Sequence, residues 1–231
     1  MKTKLDNLNK HNRAGILLDL SIYIATMFLI REIYFNNVSF ITNGLFWSFT
    51  TLIVASWRMK ARDISWQDLG LVKPKSFKNL VIATGFIFAF IPISIILFNI
   101  LKDLLPVSLA VDTSSQTTKF GELKGNWLLF FSIIPFIWIQ SMLEELLDRG
   151  FLINWIEKMF SESYLATIFA VVTQATIFGF RHSYDLSERS ITVGLIGLIM
   201  GLAYVLFGRN LWPLIIAHCT LNTVSMLDRV T

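Results

Sequence analysis

Residues 125–149 read GNWLLFFSIIPFIWIQSMLEELLDR. Nineteen of them, Gly125 to Leu143, include no Asp, Glu, Lys or Arg, and Glu144, Glu145, Asp148 and Arg149 then follow within six positions. The apolar part is close to the roughly 20 residues that an α-helix needs to cross a hydrocarbon core of about 30 Å. It therefore reads as a membrane span. A carboxylate in or near hydrocarbon costs about 2.5–3.5 kcal/mol even on insertion scales, so two adjacent glutamates at such a place read as an intramembrane functional site.

The rest of the chain has the same character. Of 231 residues, 54% are hydrophobic and only 16% charged, with 20 phenylalanines, a composition that excludes an ordinary soluble domain. About seven windows approach spanning length: Ala14 to Ile30, Phe40 to Trp57, Asn79 to Leu101, Trp127 to Leu147, Ser163 to Phe180, Ser190 to Gly208 and Asn210 to Leu227. None alternates polar and apolar as a barrel strand does, and in lipid the backbone must satisfy its own hydrogen bonds. The expected fold class is all-α, a polytopic bundle of transmembrane helices. With no repeat, low-complexity tract or long linker, residues 1–231 form one membrane domain, whose polar motifs lie within about 127–227.

Charge patterning orients the spans. Lys2, Lys4, Lys10 and Arg13 outnumber Asp6 at the N-terminus, and Arg58, Lys60, Arg62, Lys73, Lys75 and Lys78 outnumber Asp63 and Asp68. Both stretches belong in the cytoplasm by the positive-inside rule, two spans apart, while the balanced Lys102 to Lys124 segment falls outside. The segment from Arg58 to Lys78, with Trp57, Trp66 and Pro74, reads equally as a stretch lying on the headgroups or as a plain charged loop. The serines and threonines Ser114, Ser115, Thr117 and Thr118 mark an exposed loop. Asp19 and the lack of a small-residue cleavage pattern make the first window an uncleaved span. The net charge of +4 is gathered beside spans, which argues for membrane lipids and against nucleic acid as a partner. Cys219 is the single cysteine and reads as a packing residue.

Three polar constellations interrupt the last four windows. On a helix Glu145 and Arg149 are four apart, acid first, the favourable pairing order, while Glu144 is turned by about 100° and left unpaired. The second is Phe178-Gly179-Phe180-Arg181-His182, and in the third His218 and Asn222 share a helix face. Two carboxylates, two imidazoles and an amide are what water activation requires: a proton acceptor, an orienting ring and donors for an oxyanion. No Ser-His-Asp order and no HExxH run is present.

The order EExxxR (Glu144, Glu145, Arg149), FxxxH (Phe178, His182) and HxxxN (His218, Asn222) resembles the CPBP family of intramembrane proteases, which comprises CAAX prenyl endopeptidases and the bacterial Abi relatives of bacteriocin processing and self-immunity. The segment Gly208-Arg209-Asn210-Leu211-Trp212-Pro213 is also similar to that family. The resemblance implies hydrolysis of a membrane-associated or lipidated peptide, with Glu144 and His182 activating water, Glu145 and Arg149 supporting the site, and His218 and Asn222 stabilising the oxyanion. It suits a bacterial cell-membrane protein in peptide maturation or bacteriocin immunity. A divalent metal such as zinc, or none, is compatible with it, since Glu and His ligate zinc but the spacing matches no zinc template. Asp148 departs from the apolar residue usual before the motif arginine; it is expected either to compete with Glu145 for Arg149 or to face water at a helix end.

Simple alternation of spans puts Glu144 and His182 at opposite depths. Their meeting requires the fourth span to continue through Phe151 to Phe160, and the fifth is expected to be tilted or incomplete around a water-filled vestibule. The rival reading is a non-proteolytic membrane protein, a transporter or an immunity scaffold, that keeps the polar cluster for a proton relay or for helix association.

Overall fold

The computed structural model describes residues 13–104, 120–160 and 163–231. The basic run before Arg13 and the loop of Ser114, Ser115, Thr117 and Thr118 lie outside the described residues. Seven helices occur among the described residues: α1 (Arg13–Glu32, its last turn 3-10), α2 (Phe40–Lys60), α3 (Phe77–Leu104), α4 (Trp127–Met159), α5 (Tyr164–Ser183), α6 (Glu188–Leu206) and α7 (Trp212–Val230). No strand occurs among the described residues. All but α7 are long and apolar enough to cross a bilayer, and the protein is a multi-pass, all-α membrane protein. α7 is the helix that carries His218 and Asn222 among its polar residues.

Local chemistry sets the helix starts. Ser39, Asn126, Ser163 and Ser187 each accept a backbone N–H from three residues on, capping α2, α4, α5 and α6. α7 begins instead with Pro213 in its first turn, where a missing N–H costs nothing. One apolar cluster joins all seven helices, from Tyr23 and Met59 through Ile87 and Phe151 to Val171, Met200 and Leu214. Large side chains such as Phe77, Leu128 and Leu165 point outward, as a lipid-facing surface requires.

Two features position the site. The first is α4, 33 residues long, which does not end at its charges. It widens into π-helical turns over Glu145–Ile153, all nine residues buried, and returns to α-helix until Met159. Such π segments gather at functional sites, because the wider turn re-aims side chains without ending the helix. The second is the α5–α6 pair, packed so closely that a Cβ on Gly179 would lie 2.3 Å from the Ser190 carbonyl oxygen.

The length of α4 resolves the depth problem. Glu144 stands sixteen residues before Phe160 and His182 nineteen after Ser163, so both rise about 24–28 Å from the connecting turn. α5 itself is a complete helix of 20 residues, so of the two expectations, tilted or incomplete, the second does not hold.

The segment after α2 packs against the bundle. Ile64 and Leu69 are buried, and the Gly70 carbonyl accepts the Leu211 N–H at 3.0 Å. Gly70 adopts φ +102°, and a Cβ there would meet the Arg209 carbonyl oxygen. Tyr204 donates to the Leu69 carbonyl (2.7 Å) and accepts from Asn154, while Arg209 donates to Asn154 and pairs with Glu157 at 2.7 Å. The Gly208–Pro213 segment thus anchors the 61–76 connection to the end of α4. At the start of this connection Arg58 (2.7 Å) and Arg62 pair with buried Asp19 of α1, which also accepts from Trp155. These connections share one face of the bundle; the α1–α2 and α5–α6 connections share the other.

Candidate active site

Glu145 is fully buried and central. Its Oε1 accepts from Arg149 Nη1 at 2.9 Å, the expected four-residue pair, and from His218 Nδ1 at 2.6 Å. Arg149 is also fully buried, its guanidinium 4.4 Å from the centre of the Phe178 ring. A carboxylate paired with arginine is an acceptor only, so the proton between Glu145 and His218 belongs to Nδ1. His218 then presents Nε2 to Glu144, whose Oε2 lies 3.7 Å away.

His182 is held in the corresponding way. Its Nδ1 meets the Phe178 carbonyl at 2.6 Å, and a carbonyl can only accept, so Nδ1 carries hydrogen and Nε2 is the other ring nitrogen. Glu144, His182, His218 and Asn222 all line one cavity of about 240 Å³. Glu144 is 9% exposed against 0% for Glu145, so the two adjacent acids differ: one faces the cavity, the other is enclosed in an ion pair. Asn222 donates from Nδ2 to Ser141 Oγ at 2.8 Å, and Ser141 passes its own hydrogen to the Ile137 carbonyl. This chain orients the amide and leaves its second N–H for another acceptor.

All six residues singled out from the sequence, Glu144, Glu145, Arg149, His182, His218 and Asn222, are therefore brought together. Asp148 is placed where neither expectation put it. It is fully buried and pairs with Arg181 Nη2 at 2.7 Å, so it neither competes for Arg149 nor meets water. The π-helical turns of α4 present Asp148 to α5, while Arg149 remains on Glu145. Several residues of the cavity wall carry no role in the sequence reading, among them Ser141, Arg181 and Arg31, the last donating to the Arg181 carbonyl at 2.9 Å. Ser141 had a faint signal, a hydroxyl three residues before Glu144 in an apolar run. Arg31, at the end of α1, had none.

Among the described residues no group of three or more His, Cys, Asp or Glu side chains is placed to hold a metal ion. The chemistry the arrangement supports is proton transfer by Glu144 and the two free imidazole nitrogens.

Residues 126–224 match the family described as type II CAAX prenyl endopeptidase Rce1-like, a stretch that begins at the cap of α4 and ends within α7 after Asn222. No curated protein and no solved structure matches the chain.

Proposed function

We propose that the chain, whose residues 126–224 match the type II CAAX prenyl endopeptidase Rce1-like family, is a CPBP-type intramembrane endopeptidase that hydrolyses a membrane-associated peptide with water activated by Glu144. The observation that carries the reading is the division of labour between the two acids. Glu145 is enclosed by Arg149 and His218, so Glu144 is the carboxylate left facing the cavity.

Glu144 takes a proton from a water that His182 Nε2 helps to orient, and the oxygen attacks the scissile carbonyl. Negative charge develops on that carbonyl oxygen, which accepts from Nε2–H of His218 in its imidazolium form and from the free N–H of Asn222. Glu145 orients the His218 ring and compensates positive charge on it, as the carboxylate of a catalytic triad does for its histidine. Glu144 then returns the proton to the departing amine nitrogen as the C–N bond breaks.

The test uses the purified protein in lipid nanodiscs, a mixture of membrane-associated peptides and water enriched in oxygen-18. The wild type should create new C-termini that carry the label, and His182→Ala should create them at least about a hundredfold more slowly. A wild type that creates none would leave the scaffold or transporter reading in its place.

We also place the face formed by residues 58–78 in the cytoplasm, which makes the α1–α2 and α5–α6 face the outer one. In a Cys219→Ser background, Leu186→Cys should react with a membrane-impermeant maleimide in intact cells, and Lys73→Cys only after permeabilisation. The reverse pattern would invert the orientation.

A further inference from the structure

The cavity that holds Glu144 opens toward one face of the bundle. Its wall draws on six helices, and each contributes the part that lies toward the α1–α2 and α5–α6 connections. α1 and α5 run toward that face and give residues of their last turns, Arg31 and Arg181 among them, while α2 and α6 run away from it and give Phe40 and Arg189 from their first. Among the described residues α4 contributes nothing beyond Glu144, and α7 contributes only from His218 onward to Arg229. Arg31 and His182 also line an adjoining hollow of about 480 Å³, whose wall continues to Glu32, Tyr184 and Asp185, all three exposed.

Toward the opposite face the described residues leave no such route. The nine residues Glu145–Ile153, directly behind Glu144, are all buried. Phe151 stacks on Trp155 with ring centres 4.2 Å apart and meets Tyr23 at 4.6 Å, all three rings buried. Hydrolysis consumes a water for each bond cut, and hydrocarbon supplies none, so water must enter where the cavity reaches an aqueous face. A charged peptide tail on the other side would have to cross the buried layer, which ionised groups do only at high cost. The excess of arginine and lysine from Arg58 to Lys78 assigns that other side to the cytoplasm in the orientation given above.

We propose that this site takes both its water and its peptide from the outer compartment. The substrate is then a membrane peptide with its apolar part in the bilayer and its scissile bond in a segment already outside the cytoplasm, so that a transport reaction must precede the cleavage of any peptide made inside the cell. This rests on the peptidase reading and on the orientation given with it, and the experiment separates the three. Access is read first, without substrate. Ser141→Cys and Ser225→Cys, each in a Cys219→Ser background, are treated with a charged, membrane-impermeant methanethiosulfonate in right-side-out and in inside-out membrane vesicles. Both positions line the cavity, and a thiol reacts as its thiolate, so labelling requires water at the site. Leu186→Cys and Lys73→Cys mark the two faces in parallel.

Both cavity thiols should react at least about tenfold faster in right-side-out vesicles, in step with Leu186→Cys. Reaction in step with Lys73→Cys, or of neither thiol from either side, overturns the proposal. Reaction in step with Leu186→Cys but faster in inside-out vesicles also overturns it, because the shared face is then cytoplasmic. Cleavage by the otherwise wild-type protein is read separately, with membrane-associated peptides whose charged tails do not cross the bilayer, in water enriched in oxygen-18. Vesicles with Glu144→Gln set the background. Labelled C-termini should form at least about tenfold faster when the peptides are added to right-side-out vesicles, and equal or inverted rates overturn the proposal. Outward thiol labelling with no cleavage from either side retires the peptidase, and with it the substrate, and leaves an outward-opening cavity.

Discussion

Glu144→Gln should lower the rate of peptide hydrolysis by about 10³-fold, equivalent to ~4 kcal/mol of transition-state stabilisation, with little change in the folded state. Glutamine keeps the shape of the side chain and removes its ability to take a proton from water. The fold should tolerate the change because Glu144 faces the cavity and its nearest ionic neighbour, His218 Nε2, is 3.7 Å away rather than at hydrogen-bond distance. Single-turnover rates and substrate affinity should be measured together, with unfolding followed in the same detergent. The loss should fall on kcat with KM nearly constant, since the interaction removed belongs to the transition state. A loss below about tenfold would move the general base elsewhere, with His182 the next candidate.

Arg149→Met should behave in the opposite way, destabilising the protein by about 3–5 kcal/mol, because it leaves the Glu145 carboxylate buried without its guanidinium. Both side chains are fully buried, so water cannot take the place of the lost partner. His218 Nδ1 is a second partner for Glu145 and should hold the effect toward the lower end of that range. The double variant Glu145→Gln/Arg149→Met removes both charges and should recover at least half of the loss, since a buried pair replaced as a pair is often near neutral. Unfolding by denaturant in mixed micelles reads both variants. A single-variant cost below about 1 kcal/mol would mean that the pair is not an electrostatic element of the fold.

Together these outcomes would separate two glutamates that are adjacent in the chain and identical in chemistry. The same contrast shows how far the residues could be read in advance. The Glu145–Arg149 pair was legible because it is local: four residues on a helix suffice to predict it. The spans were legible for a related reason, since hydrocarbon forces each segment to satisfy its backbone internally and so to declare itself by composition. Their limits agree with the helices to within a few residues, except at α4.

There the local signal by itself misled, and only the requirement that Glu144 and His182 meet called for the continuation through Phe151 to Phe160 that α4 shows. Four charges in six residues look like a helix reaching water, and only burial by α1, α5 and α6 lets the chain continue as helix to Met159. Asp148 failed for the same reason. Its partner Arg181 is 33 residues away on another helix, and no rule of spacing along one helix can identify it. Arg31, which meets Arg181 across 150 residues, left no trace in its own neighbourhood.

Sequence alone was sufficient for a bundle of membrane helices, for the identities of six polar residues gathered in its C-terminal half, and for their resemblance to a protease family. Composition and short-range spacing carry that information because helices in lipid are built from local hydrogen bonds. The tertiary structure alone decided that Glu144 and His182 share one level, that Asp148 is spent on Arg181, and that four arginines crowd the cavity they line. Those outcomes depend on which helix faces come to lie against each other, and that is settled by packing among residues far apart in the chain.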